Sequence, residues 1–142
     1  MKNYFLAFFL FFILVENVSA RDCPQIDVQE LVKTTMSWDG QTLPAYPEGQ
    51  PEVTILHITI PPGATLHRHK HPVINAGVLI QGELTVVTEE DEILHLKAGE
   101  AIVEVMDKWH YGINPGEEPA EIIVFYAGVE GLPVSVLDGY DE

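Results

Sequence analysis

One histidine-rich stretch decides how the rest of this sequence is interpreted: Gly63-Ala64-Thr65-Leu66-His67-Arg68-His69-Lys70-His71-Pro72-Val73-Ile74-Asn75. In an extended strand, alternate side chains lie on the same face. His67, His69 and His71 are therefore predicted to project together, and Arg68 and Lys70 are predicted to point the other way. Three imidazoles on one surface make a candidate binding site.

A fourth histidine lies in Trp109-His110-Tyr111, in a segment rich in Val, Ile and Tyr. Neutral imidazole is the commonest protein ligand for Zn, Fe, Ni and Cu, and a metal site open to chemistry often needs only three protein donors. The simplest hypothesis from the residues is therefore a metal held between two strands.

The spacing of the histidine-rich stretch resembles the first sequence motif of the cupin family. That motif reads Gly, five residues, His-x-His, three or four residues, Glu, six residues and Gly. Here Gly63, His69, His71 and Gly82 fit the motif, and Asn75 stands at the Glu position. The sequence therefore keeps the histidines of the motif and loses its carboxylate.

A second cupin motif runs Gly, five residues, Pro-x-Gly, two residues, His, three residues, Asn. Gly99, His110 and Asn114 keep its register, whereas Val105 and Asp107 replace the Pro and the second Gly. Together the two motifs cover residues 63 to 114, about a third of the chain. This resemblance implies a small single-domain cupin, an all-β jelly-roll β-barrel.

The resemblance also implies a site. His69, His71 and His110 match the three histidine ligands of the family, and Asn75 would offer a neutral, weaker donor in place of the ligating carboxylate. One divalent transition metal is expected, and Fe, Mn, Zn, Ni and Cu all stay open because imidazole does not choose among them.

Two function classes stay open. One is a metalloenzyme acting on a small oxygen-rich molecule, of dioxygenase, isomerase or hydrolase type; the other is a module that binds a small ligand without turnover. A catalyst needs a positioned acid or base, and the candidates are His67, Tyr111 and Glu104. A structural protein acting through a dimer interface is a third possibility, and a homodimer is expected from the resemblance alone.

The beginning of the chain has the pattern of a signal peptide over residues 1–20. Lys2 precedes an apolar run from Tyr4 to Val15, and Val18-Ser19-Ala20 offers a cleavage site. The run is too short to span a bilayer as a helix. A secreted or periplasmic protein, free of the membrane after cleavage, is therefore expected. With Cys23 as the only cysteine, no internal disulfide can form.

The net charge of −15 opposes binding to nucleic acid or to an anionic membrane. A small molecule is the expected partner. The run Glu89-Glu90-Asp91-Glu92 lacks the spaced oxygens and the glycine of a calcium-binding loop, so it is predicted to be a solvated turn without chemistry.

Short runs of β-forming residues, separated by Gly and Pro, predict a series of strands and no long helix. Residues 21–50 are predicted to be a leader with an outer strand at 31–38, residues 51–137 the barrel, and residues 138–142 a C-terminal tail. The predicted barrel strands cover residues 52–60, 73–80, 83–88, 93–96, 101–105, 109–113 and 121–126, with an edge strand at 133–136.

Overall fold

The computed structural model describes residues 25–139, which form nine β-strands and no helix. The strands are β1 (Pro51–Ile60), β2 (His69–Lys70), β3 (Ile74–Gln81), β4 (Glu83–Thr88), β5 (Ile93–Lys97), β6 (Ala101–Val103), β7 (His110–Ile113), β8 (Ala120–Val129) and β9 (Val136–Leu137). Among these residues no helix is long and apolar enough to cross a membrane.

The strands form two antiparallel sheets, one of four strands in the order β1-β8-β3-β6 and one of five in the order β5-β4-β7-β2-β9. The prediction of an all-β jelly-roll barrel is confirmed. The buried core contains residues from both sheets: Ile60, Val73, Leu79, Leu84, Val86, Leu96, Ile102, Ala120, Ile122, Val124 and Tyr126.

Strand β8 shows why these segments form a sheet. Ile122, Val124 and Tyr126 alternate into the core, while Ile123 and Phe125 point outward and stay 40% and 44% exposed. A period of two places one set of side chains on each face of a strand. Because both sets are apolar, this strand contributes to the core and also leaves an apolar outer face on the four-stranded sheet.

Two turns require backbone conformations that few residues adopt. Gly82 connects β3 to β4 with φ 75°, and a Cβ atom there would lie 2.8 Å from the carbonyl oxygen of Pro119. Asp107 has φ 50° at the position where the second cupin motif has Gly. Asp is one of the residues that enters the left-handed region most readily. The turn is therefore kept although its glycine is replaced.

The structure differs from the sequence prediction in the histidine-rich stretch and in the leader. Between His67 and Val73 only His69 and Lys70 are in a strand, because Pro72 has no N–H to continue the ladder, and the chain becomes regular again at Ile74, where β3 begins. Residues 31–38 form no strand; Met36 makes a single bridge to Thr42 across a turn, and no further neighbouring strand extends the pairing among the described residues.

The predicted signal peptide, Cys23 and the last residues of the tail lie outside the described residues. The division of the chain at residues 20, 50 and 137 stays a prediction. Asp138, at the beginning of the predicted tail, is held in place: its N–H donates to the carbonyl of Arg68, and its carboxylate lies 3.1 Å from the Arg68 guanidinium.

Candidate metal centre

The fold brings His69, His71 and His110 together. His69 pairs directly with His110 across β2 and β7, and His71 follows two residues later. The candidate ligand atoms of the three side chains all lie within 4.8 Å of one another. Their ring centroids are 4.4 to 5.0 Å apart.

Each of the three imidazoles is oriented by a backbone carbonyl. Nδ1 lies 2.7 Å from the His67 oxygen in His69, 2.8 Å from the Val134 oxygen in His71, and 2.9 Å from the Lys108 oxygen in His110. A carbonyl only accepts, so Nδ1 carries the proton and Nε2 keeps its lone pair. This is the orientation that metal-ligating histidines need.

Burial keeps these histidines neutral. Burial, with a smaller contribution from the neighbouring imidazoles, lowers the pKa of His71 from 6.5 to about 3 and that of His110 to about 4, against the opposing effect of the backbone hydrogen bonds. Burial also lowers the pKa of His69. At neutral pH the three rings therefore present lone pairs rather than charges.

The residues present fit a cation. His110 Nε2 and Glu104 Oε2 are both buried without a hydrogen-bond partner among the described residues, and they lie 3.8 Å apart. An unpaired buried polar atom is costly. A metal ion in contact with both atoms would remove that cost.

Glu104 is the acidic side chain of the site. It follows β6 directly, is 8% exposed, and burial raises its pKa from 4.5 to about 7. The sequence identified it as a candidate acid or base but not as a neighbour of the histidines. Its position comes from the pairing of β6 with β3, which spacing along the chain does not reveal.

Asn75, the predicted fourth ligand, is buried on β3 and does not line the cavity beside the histidines. Its Nδ2 lies 3.4 Å from the carbonyl oxygen of Val73, and its Oδ1 has no hydrogen-bond partner among residues 25–139. The geometry therefore leaves its ligand role as a prediction.

The structure does not bring His67 and Tyr111 into the site. His67 is exposed and lies outside the three-histidine group, because the regular strand begins only at His69. Tyr111 follows the buried His110 in β7 and is half-buried, so alternation directs it to the other side of the sheet. Neither His67 nor Tyr111 lines the cavity beside the histidines, so their catalytic roles stay predictions without support from this geometry.

Sequence reasoning missed Tyr126, which lines the cavity instead. Its ring centroid lies 5.6 Å from that of His71 and the residue is 4% exposed. Burial, together with the charge of Glu104, raises the pKa of Tyr126 from 10 to about 12. The hydroxyl is therefore a neutral proton donor. The alternation of Ile122, Val124 and Tyr126 in β8 was the sequence signal for its inward direction.

The cavity has a volume of about 50 Å³. Five of its lining residues carry ionisable side chains, the three histidines with Glu104 and Tyr126, and the other lining residues are apolar. It is lined by Ile58, Ile60, Leu66, His69, His71, Leu84, Val86, Glu104, His110, Gly112, Ile122, Val124 and Tyr126.

The acidic turn at residues 89–92, predicted to be a solvated turn without chemistry, is largely exposed and also contributes two carboxylates to an ion cluster. The ammonium of Lys108 lies 2.7 Å from Asp39 Oδ2, 2.9 Å from Glu90 Oε2 and 3.1 Å from Glu92 Oε2. Burial by itself lowers the pKa of Lys108, but these three carboxylates raise it above its ordinary value. Since the Lys108 carbonyl holds His110, this ion cluster lies directly behind a candidate ligand.

Arg68 and Lys70 point away from the site, as predicted. Both lie over the ring of Trp109, at 5.7 and 5.3 Å from its centroid. Trp109 is half-buried and is not among the residues that line the cavity. It therefore belongs to the outer surface of this sheet rather than to the wall of the site.

Comparison with known proteins identifies a domain family. A model of the cupin domain matches residues 56–126. Among proteins of curated function, none matches the sequence.

Solved structures give the same fold. An oxalate oxidase has 24% identity and a TM-score of 0.52, with 61% of this chain and 46% of that chain covered. An uncharacterized protein with a double-stranded β-helix domain from Klebsiella pneumoniae has 20% identity and a TM-score of 0.53, covering 77% and 97%. A DMSP lyase from Ruegeria pomeroyi has 19% identity and a TM-score of 0.52, covering 61% and 43%. This chain thus spans less than half the length of the oxidase and the lyase, and at these identities the likeness shows the fold alone.

Proposed function

This chain belongs to the cupin family, and on that premise we propose that it holds one divalent transition metal at His69, His71 and His110 and acts there on a small oxygen-rich molecule. The observation that carries the proposal is the convergence of three imidazoles, His71 and His110 buried and His69 half-buried, each with Nδ1 on a backbone carbonyl and Nε2 available to a metal. Nitrogen donors of this kind suit Fe, Mn, Zn, Ni and Cu.

When bound, the metal would supply Lewis acidity to an oxygen atom of a ligand. The chain's own residues contribute orientation, exclusion of water and a proton. Neutral histidines do not reduce the charge of the ion, the apolar side chains limit the access of bulk water, and Tyr126 holds a hydroxyl proton at neutral pH beside His71. We assign Tyr126 as the candidate proton donor, in place of His67 and Tyr111.

The size of the cavity supports a very small substrate. Sites for drug-sized ligands measure about 300–1,000 Å³, whereas this cavity measures about 50 Å³. It has room for an ion and a few additional atoms. This volume therefore favours an oxygen-rich molecule of a few atoms over a sugar ring.

Non-catalytic binding of a small ligand is the second candidate function. It is favoured by the mainly apolar lining: apart from the histidines, Glu104 and Tyr126 are the only ionisable groups that residues 25–139 bring to the cavity. A turnover assay on the metal-loaded protein separates the two. Conversion of a small oxygen-rich acid that is lost in Tyr126→Phe supports the enzyme, while saturable binding without conversion supports the module.

Metal binding itself is tested by titration of metal-free protein with Zn²⁺, Mn²⁺ and Fe²⁺, followed by elemental analysis. We expect one ion per chain in the wild type and a loss of binding in His71→Ala. His67→Ala is the matched control from the same stretch and should bind normally, since His67 contributes only its carbonyl oxygen. Absence of any bound metal in the wild type would refute the proposal.

We also propose that the protein is secreted or periplasmic. The pattern at Lys2, Tyr4–Val15 and Val18-Ser19-Ala20 supports cleavage after Ala20. Expression in the native host, fractionation and mass spectrometry of the intact product test the proposal. A product that begins at Arg21 in the exported fraction is expected, and an uncleaved chain in the cytosol would contradict it.

A homodimer is proposed through the outer face of the four-stranded sheet. Ile55 and Phe125 pair across β1 and β8 and are 62% and 44% exposed. Exposed apolar patches of this kind mark interaction surfaces. Light scattering should give a dimer mass for the wild type and a monomer mass for Phe125→Glu; a monomeric wild type would rule the dimer out.

A further inference from the structure

We propose that Glu104 is the fourth ligand of the metal and takes over the carboxylate role that the first cupin motif assigns to the position of Asn75. The inference rests on the proposed function, in which His69, His71 and His110 hold the ion. Glu104 lies in the region of the second motif, directly after β6, whereas the glutamate position of the first motif, Asn75, lies in β3.

The strand register explains how a carboxylate at position 104 can replace one at position 75. Ala76 pairs with Val103 across β3 and β6, so the next pair in the antiparallel register is Asn75 and Glu104. The N–H of Glu104 donates to the carbonyl of Asn75 at 3.2 Å, which continues the pairing beyond the end of β6. Side chains directly opposite in an antiparallel pair lie on the same face about 5 Å apart. The carboxylate of Glu104 therefore reaches the region that the carboxylate of a Glu at position 75 would reach.

The surroundings of Glu104 indicate a ligand rather than a structural acid. The residue is 8% exposed and its Oε2 has no hydrogen-bond partner among the described residues. That oxygen lies 3.8 Å from Nε2 of His110, which is also unpartnered. Two donors each about 2.1 Å from one ion lie at most about 4.2 Å apart. The two atoms are thus close enough to share a cation.

Asn75 is less suited to the role. It does not line the cavity, whereas Glu104 does. Its amide would be a neutral donor, but a carboxylate cancels one charge of a divalent ion and binds it more strongly. A set of three imidazoles and one carboxylate suits Mn²⁺, Fe²⁺ and Zn²⁺.

The test compares Co²⁺ binding to metal-free wild type, Glu104→Gln and Asn75→Ala by titration calorimetry and visible absorption. Co²⁺ reports its ligand set through its d–d bands, so the readout does not depend on any activity. Glu104→Gln keeps the shape of the side chain, and circular dichroism checks that the barrel is folded. Because even outer partners of metal ligands are worth about 10–100-fold in affinity, we expect at least a tenfold loss and a changed spectrum in Glu104→Gln. Asn75→Ala should change affinity by less than about threefold.

Three outcomes would overturn the inference in distinguishable ways. Unchanged affinity and spectrum in Glu104→Gln would remove Glu104 from the ligand set and leave the proposed function intact. A large loss in Asn75→Ala with a normal Glu104→Gln would assign the fourth position to the amide. A wild type that binds no Co²⁺, Zn²⁺, Mn²⁺ or Fe²⁺ would refute the proposed function itself.

Discussion

His71 shows how burial prepares a single residue for its role. It is 4% exposed, and its Nδ1 is held by Val134, which lies 63 positions away in the chain. A buried histidine loses hydration of its charged form, so the neutral ring is favoured. The same burial that makes the ring a ready ligand also makes the native state sensitive to acid.

The stability of the metal-free protein should therefore depend on pH through His71. Its folded pKa of about 3 lies below the ordinary value of 6.5, so the unfolded chain takes up a proton that the native state does not. The contribution of His71 to stability is present above pH 6.5 and is lost as pH falls from 6.5 to about 3. The expected slope is up to about 1.4 kcal/mol per pH unit.

Urea unfolding of wild type and His71→Gln between pH 7.5 and 4.5 measures this slope. The difference between the two proteins isolates His71 from the other titrating groups, including Glu104, whose raised pKa acts in the opposite direction. We expect the wild-type advantage to shrink on acidification. A difference that stays constant over this range would contradict the prediction.

At the scale of elements, the cluster around Lys108 joins three parts of the chain. Asp39 comes from the loop before β1, Glu90 and Glu92 from the turn between β4 and β5, and Lys108 from the segment before β7. The Lys108 and Asp39 side chains are 8% and 1% exposed. Loss of one member of such a buried pair leaves the other charge without a partner.

Lys108→Met should lower the free energy of unfolding by about 3–5 kcal/mol, the usual cost of breaking a buried ion pair from one side. Glu90→Gln is the control from the same cluster, because the Glu90 side chain is 62% exposed and screening limits its effect to about 1 kcal/mol or less. Equal losses in the free energy of unfolding for the two substitutions would show that burial does not determine how much each ion pair contributes to stability.

The connection between β3 and β4 provides a second prediction at this scale. Gly82 and Gly40 both have positive φ, 75° and 85°, but only Gly82 has backbone atoms within 3.0 Å of an added Cβ. A side chain at positive φ costs about 1–2 kcal/mol. Gly40→Ala should show that cost alone, and Gly82→Ala about 1–3 kcal/mol more from the steric conflict. Thermal unfolding of both variants compares the two, and equal losses would contradict the predicted clash.

For the whole molecule, the proposed metal connects distant parts of the barrel. His69 and His110 lie on neighbouring strands of the five-stranded sheet, and Glu104 follows a strand of the four-stranded sheet. A ligand that binds only the native state stabilises it by mass action. Metal at a free concentration of about 100 times its Kd should therefore raise the free energy of unfolding by about 2.7 kcal/mol.

Calorimetric melting of the protein with metal and with a chelator checks this effect. His110→Ala is the control, and its melting temperature should not respond to metal. A wild type that melts at the same temperature in both conditions would indicate that no ion is held in the folded barrel.

The sequence by itself determined the class of the fold and the central histidines. Segments of alternating β-forming residues predict strands that place one set of side chains on each face of a sheet. The Gly and Pro residues between these segments end each strand. His69, His71 and His110 were found because their spacing matches two motifs that lie in order along the chain.

Only the tertiary structure decided which other side chains surround those histidines. Glu104 reaches the site through pairing with β3, Tyr126 enters from the opposite sheet, and the neighbours in sequence, His67 and Tyr111, stay outside. The physical reason is that a strand turns adjacent residues to opposite faces, while contacts between strands and between sheets join residues that are far apart in the chain.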